Sequence, residues 1–238
     1  MSRAHALLNP SQPKVVGSFG NAKSLAEAGL AAIREACDVV EIRLDLLEAE
    51  GILTCTRPWA HLEGLPLLFT ARIADEGGAG NLGVARRLEL LAGVLGEAAL
   101  IDVELASARE MESILVRIQE TGVPWVASWH DFQGLTDSFD RIPAMAEKAA
   151  NAGAACFKAA VRLHAAKDVA RLAGLLKSVE GIPLSLMGMG PLAPVSRLLC
   201  AQYGSVLNYG FIGDAPTAPG QWSAELLKRG ISELEQIR

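Results

Sequence analysis

The sequence predicts an α/β protein of the (β/α)8 barrel class, also called the TIM barrel. Short β-rich apolar runs alternate with stretches of helical spacing along the whole chain. The chain has 238 residues, close to the roughly 250 that eight such units usually occupy. Strands joined by crossover helices run parallel, which also fits an open doubly wound sheet. Against that alternative, no GxGxxG motif follows the first strand.

Eight apolar runs are predicted to form the strands, because each is short, β-rich and followed by polar or turn-forming residues. In chain order they are Lys14–Ser18, Val39–Leu44, Pro66–Arg72, Leu100–Leu105, Pro124–Trp129, Ala155–Val161, Ile182–Met187 and Ser205–Gly210.

The stretches between the runs repeat apolar residues every three or four positions, as amphipathic helices do. The clearest are residues 22–37, 85–95, 111–119 and 167–179. Pro143 is expected near the start of the helix before Gly153, where a proline in the first helical position is tolerated. Residues 147–179 are rich enough in alanine to form one long helix by propensity alone. Gly153 interrupts that pattern, so the alternation favours a strand from Cys156 instead.

Composition narrows the functional classes. Half of the residues are apolar, which excludes a disordered chain, and the net charge of -5 without a Lys/Arg cluster argues against nucleic acid. No uncharged apolar run approaches the roughly 18 residues of a membrane helix, and the first residues lack a signal-peptide core. Four scattered cysteines without a CxxC pair argue against zinc and fit reduced thiols in the cytoplasm. We expect one barrel domain over residues 1–238.

Polar side chains are expected at the carboxyl ends of the strands, where barrel enzymes carry their catalytic groups. Glu41 and Arg43 are two positions apart on strand two, so their side chains project to the same side of the sheet. A structural ion pair explains the two charges as well as a functional role does. Arg72 and Glu76 follow strand three, and His130 ends strand five. These residues are therefore candidates for one site at one end of the barrel.

Lys158 stands in an uncharged run in strand six. Lysine is rarely fully buried unless it is paired or used. An amine in an apolar slot loses solvation of its ammonium form, so its pKa falls and it becomes nucleophilic towards carbonyls. Taken alone, a side chain that snorkels to water is the simpler explanation.

Three arginines predicted nearby (Arg43, Arg72 and Arg197) indicate an anionic substrate, because the guanidinium group binds a carboxylate through two parallel hydrogen bonds.

Short motifs occur in a fixed order from Lys14 to about Leu227. They are Glu41-x-Arg43-x-Asp45, Phe69-Thr70-x-Arg72 with Glu76-Gly77-Gly78, Ser128-x-His130-Asp131-Phe132, Lys158, Met187-x-Met189, Ser196-Arg197 and Ala218-Pro219-Gly220-Gln221. Each is weak alone. Together, their order and spacing resemble the type I 3-dehydroquinate dehydratases, Schiff-base enzymes of the shikimate pathway.

The resemblance implies that the chain dehydrates 3-dehydroquinate to 3-dehydroshikimate without a metal or diffusible cofactor. It implies that Lys158 forms the imine, that His130 acts as general base and then acid, and that Glu76 orients His130. The implied substrate-binding residues are Glu41, Arg43, Arg72, Arg197, Thr217 and Gln221, with Arg197 on the substrate carboxylate. Residues 211–221 are expected to form a lid, and a homodimer is a family expectation.

Some residues depart from the family pattern. Gly17 stands where many members have serine, which leaves the role of the adjacent Ser18 open. The Arg162-Leu163-His164 segment is also unusual and leaves room for an altered substrate. Two other functions remain as alternatives. A class I aldolase is disfavoured because no Gly-rich phosphate loop follows strands seven and eight, and a non-catalytic binding relative is disfavoured because Lys158 and His130 are both present.

Overall fold

Eight parallel strands alternate with helices in a nearly closed barrel, which confirms the predicted fold class. The structure is a computed structural model, and it describes residues 6–54 and 56–235. The strands are β1 Lys14–Phe19, β2 Val39–Arg43, β3 Leu67–Thr70, β4 Ala98–Glu104, β5 Trp125–Asp131, β6 Cys156–Arg162, β7 Leu184–Met189 and β8 Leu207–Ile212. Each of the eight predicted runs therefore overlaps one strand.

Nine α-helices lie outside the strands within the described ranges. They are α1 Ala22–Glu27, α2 Leu30–Ala36, α3 Leu44–Ala49, α4 Val84–Val94, α5 Glu112–Thr121, α6 Ser138–Asn151, α7 Ala166–Ser178, α8 Ala193–Gln202 and α9 Ala224–Ser232. Each of these helices is too short or too polar to cross a membrane.

The strand order is β7-β6-β5-β4-β3-β2-β1-β8, with every neighbouring pair parallel. The two ends of this sheet meet where Val206 N–H donates to the Leu184 carbonyl over 2.9 Å. Leu186 N–H also donates to Ser205 Oγ over 3.1 Å. These contacts bring β7 and the start of β8 together, so the carboxyl ends of all eight strands surround one mouth.

Alternation along the strands divides the core into two clusters. Val40 and Ile42 of β2 pack outward against the helices, whereas Val39 joins an interior cluster with Leu68 and Leu100. Because successive side chains of a strand point to opposite faces, Glu41 must follow Val39 into the interior. The same alternation turns the polar residues near the strand ends towards the barrel mouth.

Two local predictions need correction. The stretch 22–37 is not one helix, because Ala28 and Gly29 are extended and separate α1 from α2. Pro143 does not occupy the first helical position. It is the sixth residue of α6, which begins at Ser138, so it removes an N–H from the helix interior. The helix starts earlier than predicted because the Asp131 carboxylate accepts hydrogen bonds from Leu135 N–H and the Ser138 hydroxyl.

The alanine-rich residues 147–179 form the end of α6, then β6, then α7. The strand predicted from Cys156 is therefore confirmed, and one long helix is wrong. Cys37, Cys156 and Cys200 are buried free thiols. Cys55 lies outside the described residues.

Candidate active site

One cavity at the barrel mouth is lined by every residue that the sequence proposed for the site. These residues are Glu41, Arg43, Arg72, Glu76, His130, Lys158, Arg197, Thr217 and Gln221. Ser18, Phe132, Ala160, Met187, Met189 and Tyr209 complete much of the wall. The strands that carry these side chains are far apart in sequence, and barrel closure brings their ends together.

Lys158 is almost fully enclosed, with 4% of its surface exposed. Its Nζ lies 3.3 Å from Asp102 Oδ2 and 4.2 Å from the centre of the Tyr209 ring. Burial lowers the pKa of Lys158 below its usual value. The Asp102 and Glu41 carboxylates oppose this shift, and the Arg72 cation adds to it. The side chain does not reach bulk water, so the snorkelling explanation is wrong.

Asp102 belongs to a buried chain of alternating charges that leads away from Lys158. Arg72 Nη2 lies 3.0 Å from Asp102 Oδ1, and Arg72 Nη1 lies 3.0 Å from Glu104 Oε1. Glu104 in turn accepts a hydrogen bond from Arg87 on α4. Burial tends to raise the pKa of Asp102, but Arg72 and Lys158 lower it to about 2. Asp102 therefore stays ionised beside the lysine.

Arg72 is predicted to bind substrate, and it also has structural partners. Its Nη1 donates to Ser128 Oγ over 2.6 Å as well as to Glu104. Burial tends to lower the pKa of Arg72, but Asp102 and Glu104 raise it above its usual value. A guanidinium has five N–H donors, so these contacts do not exhaust its capacity for a ligand.

Glu76 and His130 form a close pair across the β3 and β5 ends. Glu76 Oε2 lies 2.8 Å from His130 Nδ1 and accepts the His130 backbone N–H over 2.9 Å. Burial raises the pKa of Glu76 to about 7, although Arg72 opposes the shift. Burial also lowers the pKa of His130 well below 6.5, and nearby cations, Arg72 and Lys158 first, add to this. Burial therefore favours the neutral form of both partners.

The two glycines after Glu76 allow the chain to reach His130. Gly77 has a φ of +85°, and a Cβ there would lie 2.6 Å from Phe132 Cζ. A Cβ on Gly78 would lie 2.2 Å from the Arg72 carbonyl oxygen. Side chains at these positions would therefore displace the turn that carries Glu76.

Glu41 and Arg43 do not pair with each other, so the simple ion pair considered from sequence is absent. Glu41 accepts hydrogen bonds from the hydroxyls of Ser18 and Thr70. Arg43 instead makes two contacts with Asp45, from Nε over 2.8 Å and from Nη2 over 2.6 Å. Ser18, whose role the sequence left open, lines the cavity and contacts Glu41.

Arg197 on α8 is a buried cation for which the described residues provide no carboxylate. It is 1% exposed, and it donates to the backbone carbonyls of Tyr209 and Gly188. Its Nε has no hydrogen-bond partner within the described part of the chain. Burial lowers the pKa of Arg197 to about 10. An uncompensated buried cation is costly, so this side chain is suited to an anionic ligand.

The first two residues of the segment predicted as a lid, 211 and 212, belong to β8, and the rest of the segment follows the strand. Thr217, Ala218 and Gln221 of this segment line the cavity. Thr217, through its N–H and its hydroxyl, donates to Gln221 Oε1 over 2.9 and 2.8 Å. The segment also touches the loop after β7, where Gly190 N–H donates to the Pro219 carbonyl over 3.0 Å. These contacts place Gln221 in the cavity wall with 5% of its surface exposed.

The unusual Arg162 and His164 are both exposed, and neither lines the cavity. His164 Nε2 lies 3.3 Å from the Gln133 carbonyl, over the loop that follows β5. Arg162 and His164 therefore lie at the rim of the barrel mouth, outside the cavity wall.

Two important residues were not singled out from sequence. The sequence predicts a strand at Asp102 but no functional role for it, although Asp102 and Glu104 have the same two-residue spacing as Glu41 and Arg43. That spacing was the available signal. Tyr209 lay in an apolar run and gave no signal. Its ring packs against Lys158 Nζ, and its buried hydroxyl has no partner among the described residues.

Comparison with known proteins gives the family. Residues 19–238 match the family model described as type I 3-dehydroquinase. The chain belongs to the type I 3-dehydroquinase family. The 3-dehydroquinate dehydratase of Methanothrix thermoacetophila is 34% identical over 223 residues, covering 92% of this chain and 91% of the relative. That of Methanocella arvoryzae is 33% identical over 220 residues, covering 92% and 95%.

Solved structures of type I 3-dehydroquinases and related dehydratases share the fold. The 3-dehydroquinate dehydratase of Geobacillus kaustophilus HTA426 superposes with a TM-score of 0.81 at 26% identity, over 93% of this chain and 91% of that chain. The type I 3-dehydroquinate dehydratase of Clostridium difficile, solved with covalent modified comenic acid, gives 0.75 at 26% identity, over 93% and 92%.

Proposed function

We propose that this chain dehydrates 3-dehydroquinate to 3-dehydroshikimate through a Schiff base on Lys158. One observation carries the proposal: a buried lysine of lowered pKa shares a cavity with a His130–Glu76 pair and an uncompensated arginine, Arg197. The membership of the family and the names of the relatives support the same reaction.

Imine formation begins at the neutral amine. Lys158 Nζ attacks the ketone carbon, and a proton moves from nitrogen to oxygen to give a carbinolamine. The C–O bond then breaks, and a proton from a general acid allows the oxygen to leave as water. The product is a protonated imine, which acts as an electron sink for the next step. The lowered pKa of Lys158 supports this role, because more of the amine is unprotonated near neutral pH.

His130 is proposed to move the proton that matters for elimination. It takes a hydrogen from the carbon next to the imine, and the electron pair of that C–H bond forms a neutral enamine. The nitrogen lone pair of the enamine then re-forms the iminium, and the enamine double bond shifts to a new C=C bond between the deprotonated carbon and the next carbon of the ring. The hydroxyl on that next carbon leaves, and His130 delivers the proton that makes it water. Water finally hydrolyses the imine and frees Lys158. A low His130 pKa supports a neutral imidazole at rest, ready to act as the base.

Substrate binding is assigned to the charged wall of the cavity. Arg197 binds the substrate carboxylate, because its charge has no carboxylate partner in the described residues. Glu41, Arg43 and Arg72 bind the ring hydroxyls. Arg43 is partly exposed at the mouth, with 11% of its side-chain surface accessible, so it is placed to meet an entering ligand.

Residues 211–221 are proposed to act as the lid, with Thr217 and Gln221 closing over the bound substrate and excluding water. The protein is also proposed to act in the cytoplasm, where reduced thiols such as Cys156 persist, and to form a homodimer as the family resemblance implies.

Turnover of 3-dehydroquinate tests the proposal. The product is a conjugated enone, so its absorbance should grow with the wild-type protein and with a Lys167→Ala control, whose lysine is exposed on α7. No growth is expected with Lys158→Ala. Absence of turnover by the wild-type protein, or normal turnover by Lys158→Ala, would overturn the proposal.

A further inference from the structure

We infer that Asp102 is a further catalytic residue, which holds the Lys158 amine for attack and serves as the counter-ion of the iminium that forms there. The inference rests on the proposed function, in which Lys158 Nζ is a reacting atom.

The geometry fixes one carboxylate oxygen and leaves the other for the lysine. Asp102 Oδ1 accepts the Ser128 hydroxyl over 2.6 Å and contacts Arg72 Nη2 at 3.0 Å. Asp102 Oδ2 lies 3.3 Å from Lys158 Nζ. Only 1% of Asp102 and 4% of Lys158 are exposed, so water does not compete for this contact. The amine is therefore held in one position by a carboxylate that is itself anchored.

Charge in the buried chain explains how Asp102 can assist both the neutral amine and the cation that replaces it. The cations Arg72 and Arg87 are already balanced by Asp102 and Glu104. Lys158 is an additional cation, and it loses its proton easily because Arg72 shares its carboxylate. When the imine forms, a positive charge returns to the same nitrogen, and Asp102 lies beside it. A charged group placed in advance stabilises charge that develops during reaction.

Asp102 is ionised in the resting site, where Arg72 and Lys158 lower its pKa to about 2. When the amine is neutral, Arg72 and the Ser128 hydroxyl still contact Asp102 Oδ1 and favour the ionised form. It therefore donates no proton, and the protons of imine formation come from the amine and from a separate general acid. Other ionisable groups also face Lys158. They are Arg72 just after β3, Glu41 on β2, His130 on β5, Tyr209 on β8 and Cys156 on β6 itself.

An Asp102→Asn variant tests the inference by removing charge while keeping shape. The pH dependence of Lys158 amidination by methyl acetimidate, followed by peptide mass, gives the apparent pKa of that amine. Because the carboxylate favours the ammonium form, we expect this pKa to fall further in Asp102→Asn. Turnover of 3-dehydroquinate should fall about 100-fold, as for loss of one preorganised electrostatic group. Asp38→Asn is the matched control, since Asp38 pairs with Lys228 beside the first residue of β2.

The sign of the pKa change separates the inference from a merely structural role. A loosened site would admit water and raise the Lys158 pKa towards 10.5, and that result would overturn the inference. Unchanged pKa and turnover in Asp102→Asn would overturn it as well. The control should match the wild-type protein in both measurements.

A Ser128→Ala variant provides a second test if Asp102→Asn does not fold. It keeps the carboxylate but removes one of its anchors, so turnover should fall several-fold while the Lys158 pKa changes little. Wild-type turnover in Ser128→Ala would contradict the role of the anchored carboxylate. Failure of the proposed function looks different, because the wild-type protein itself would then form no reducible adduct on Lys158.

Discussion

A single oxygen of Glu76, Oε2, contacts His130 at both its ring Nδ1 and its backbone N–H, at 2.8 and 2.9 Å. The carboxylate therefore orients the imidazole and also fixes the strand end that carries it. With Nδ1 occupied, Nε2 is the nitrogen available to a substrate in the cavity. This pair is the basis for two of the following predictions.

Replacement of Glu76 by glutamine should change how stability depends on pH. Burial raises the folded-state pKa of Glu76 to about 7, above its ordinary value of 4.5. The folded protein therefore binds more protons between these values, and the stability from this group is present at low pH and lost as the pH rises from about 4.5 to about 7. Glu76→Gln removes this loss, so its melting temperature should rise relative to wild type across that window.

Thermal unfolding of both proteins from pH 4.5 to 7.5 measures the difference. Glu120→Gln is a matched control, because Glu120 is exposed on α5. A difference between Glu76→Gln and wild type that stays constant with pH would contradict the raised pKa of Glu76.

Removal of the His130 side chain should separate imine formation from elimination. In His130→Ala we expect turnover to fall about 10³-fold, within the range for a positioned acid-base group. Borohydride should still trap substrate on Lys158, because the amine remains. His164→Ala, which changes an exposed histidine outside the cavity wall, should retain turnover. Near-normal turnover in His130→Ala would show that another group moves the proton.

Arg197→Lys should weaken substrate binding more than it slows the chemical step. Lysine keeps the charge but cannot make two parallel hydrogen bonds to a carboxylate. We expect KM to rise roughly 10- to 100-fold, as for the loss of a charged hydrogen bond of about 1.5–3 kcal/mol. Steady-state kinetics measures this. Arg171→Lys is the control, since Arg171 lies on α7 and pairs with Asp140 on α6. An unchanged KM in Arg197→Lys would place the substrate carboxylate elsewhere.

Gly220→Ala should prevent the lid from docking. Gly220 has a φ of +73°, and a Cβ there would lie 2.0 Å from the Gly190 carbonyl oxygen. We expect a higher KM with an unchanged far-ultraviolet circular dichroism spectrum. Gly51→Ala is a close control, because Gly51 has a φ of +71° but, apart from its chain neighbours, no described residue has an atom within 4 Å of the added Cβ. Wild-type kinetics in Gly220→Ala would contradict the closed position of the lid.

The fold could be predicted from sequence because the alternation of strand and helix patterns is local and repeated. Helix boundaries were predicted wrongly where tertiary contacts, which a local sequence pattern does not reveal, determine where the helix begins or ends. Pro143 fits the first turn of a helix by rule, but α6 starts earlier, at Ser138, so the proline lies inside the helix. Hydrogen bonds from Leu135 and Ser138 to Asp131 hold this earlier start. At Gly29 the apolar spacing continued, although the chain is extended there.

The positions of the site residues followed from strand ends, but their partners did not. Arg43 could have paired with Glu41 by spacing, yet the turn into α3 presents Asp45 with two oxygens. Tyr209 gave no signal, because contact between its ring and Lys158 depends on barrel closure. The low His130 pKa arises from burial among cations on other strands, which sequence spacing does not reveal.

Reductive trapping shows whether Lys158 forms an imine with the substrate. The wild-type protein is incubated with 3-dehydroquinate and borohydride, digested, and mapped by peptide mass. We expect a mass increase on the peptide that contains Lys158, and no such increase in Lys158→Ala. No adduct at all, or an adduct on another lysine such as Lys167, would contradict it.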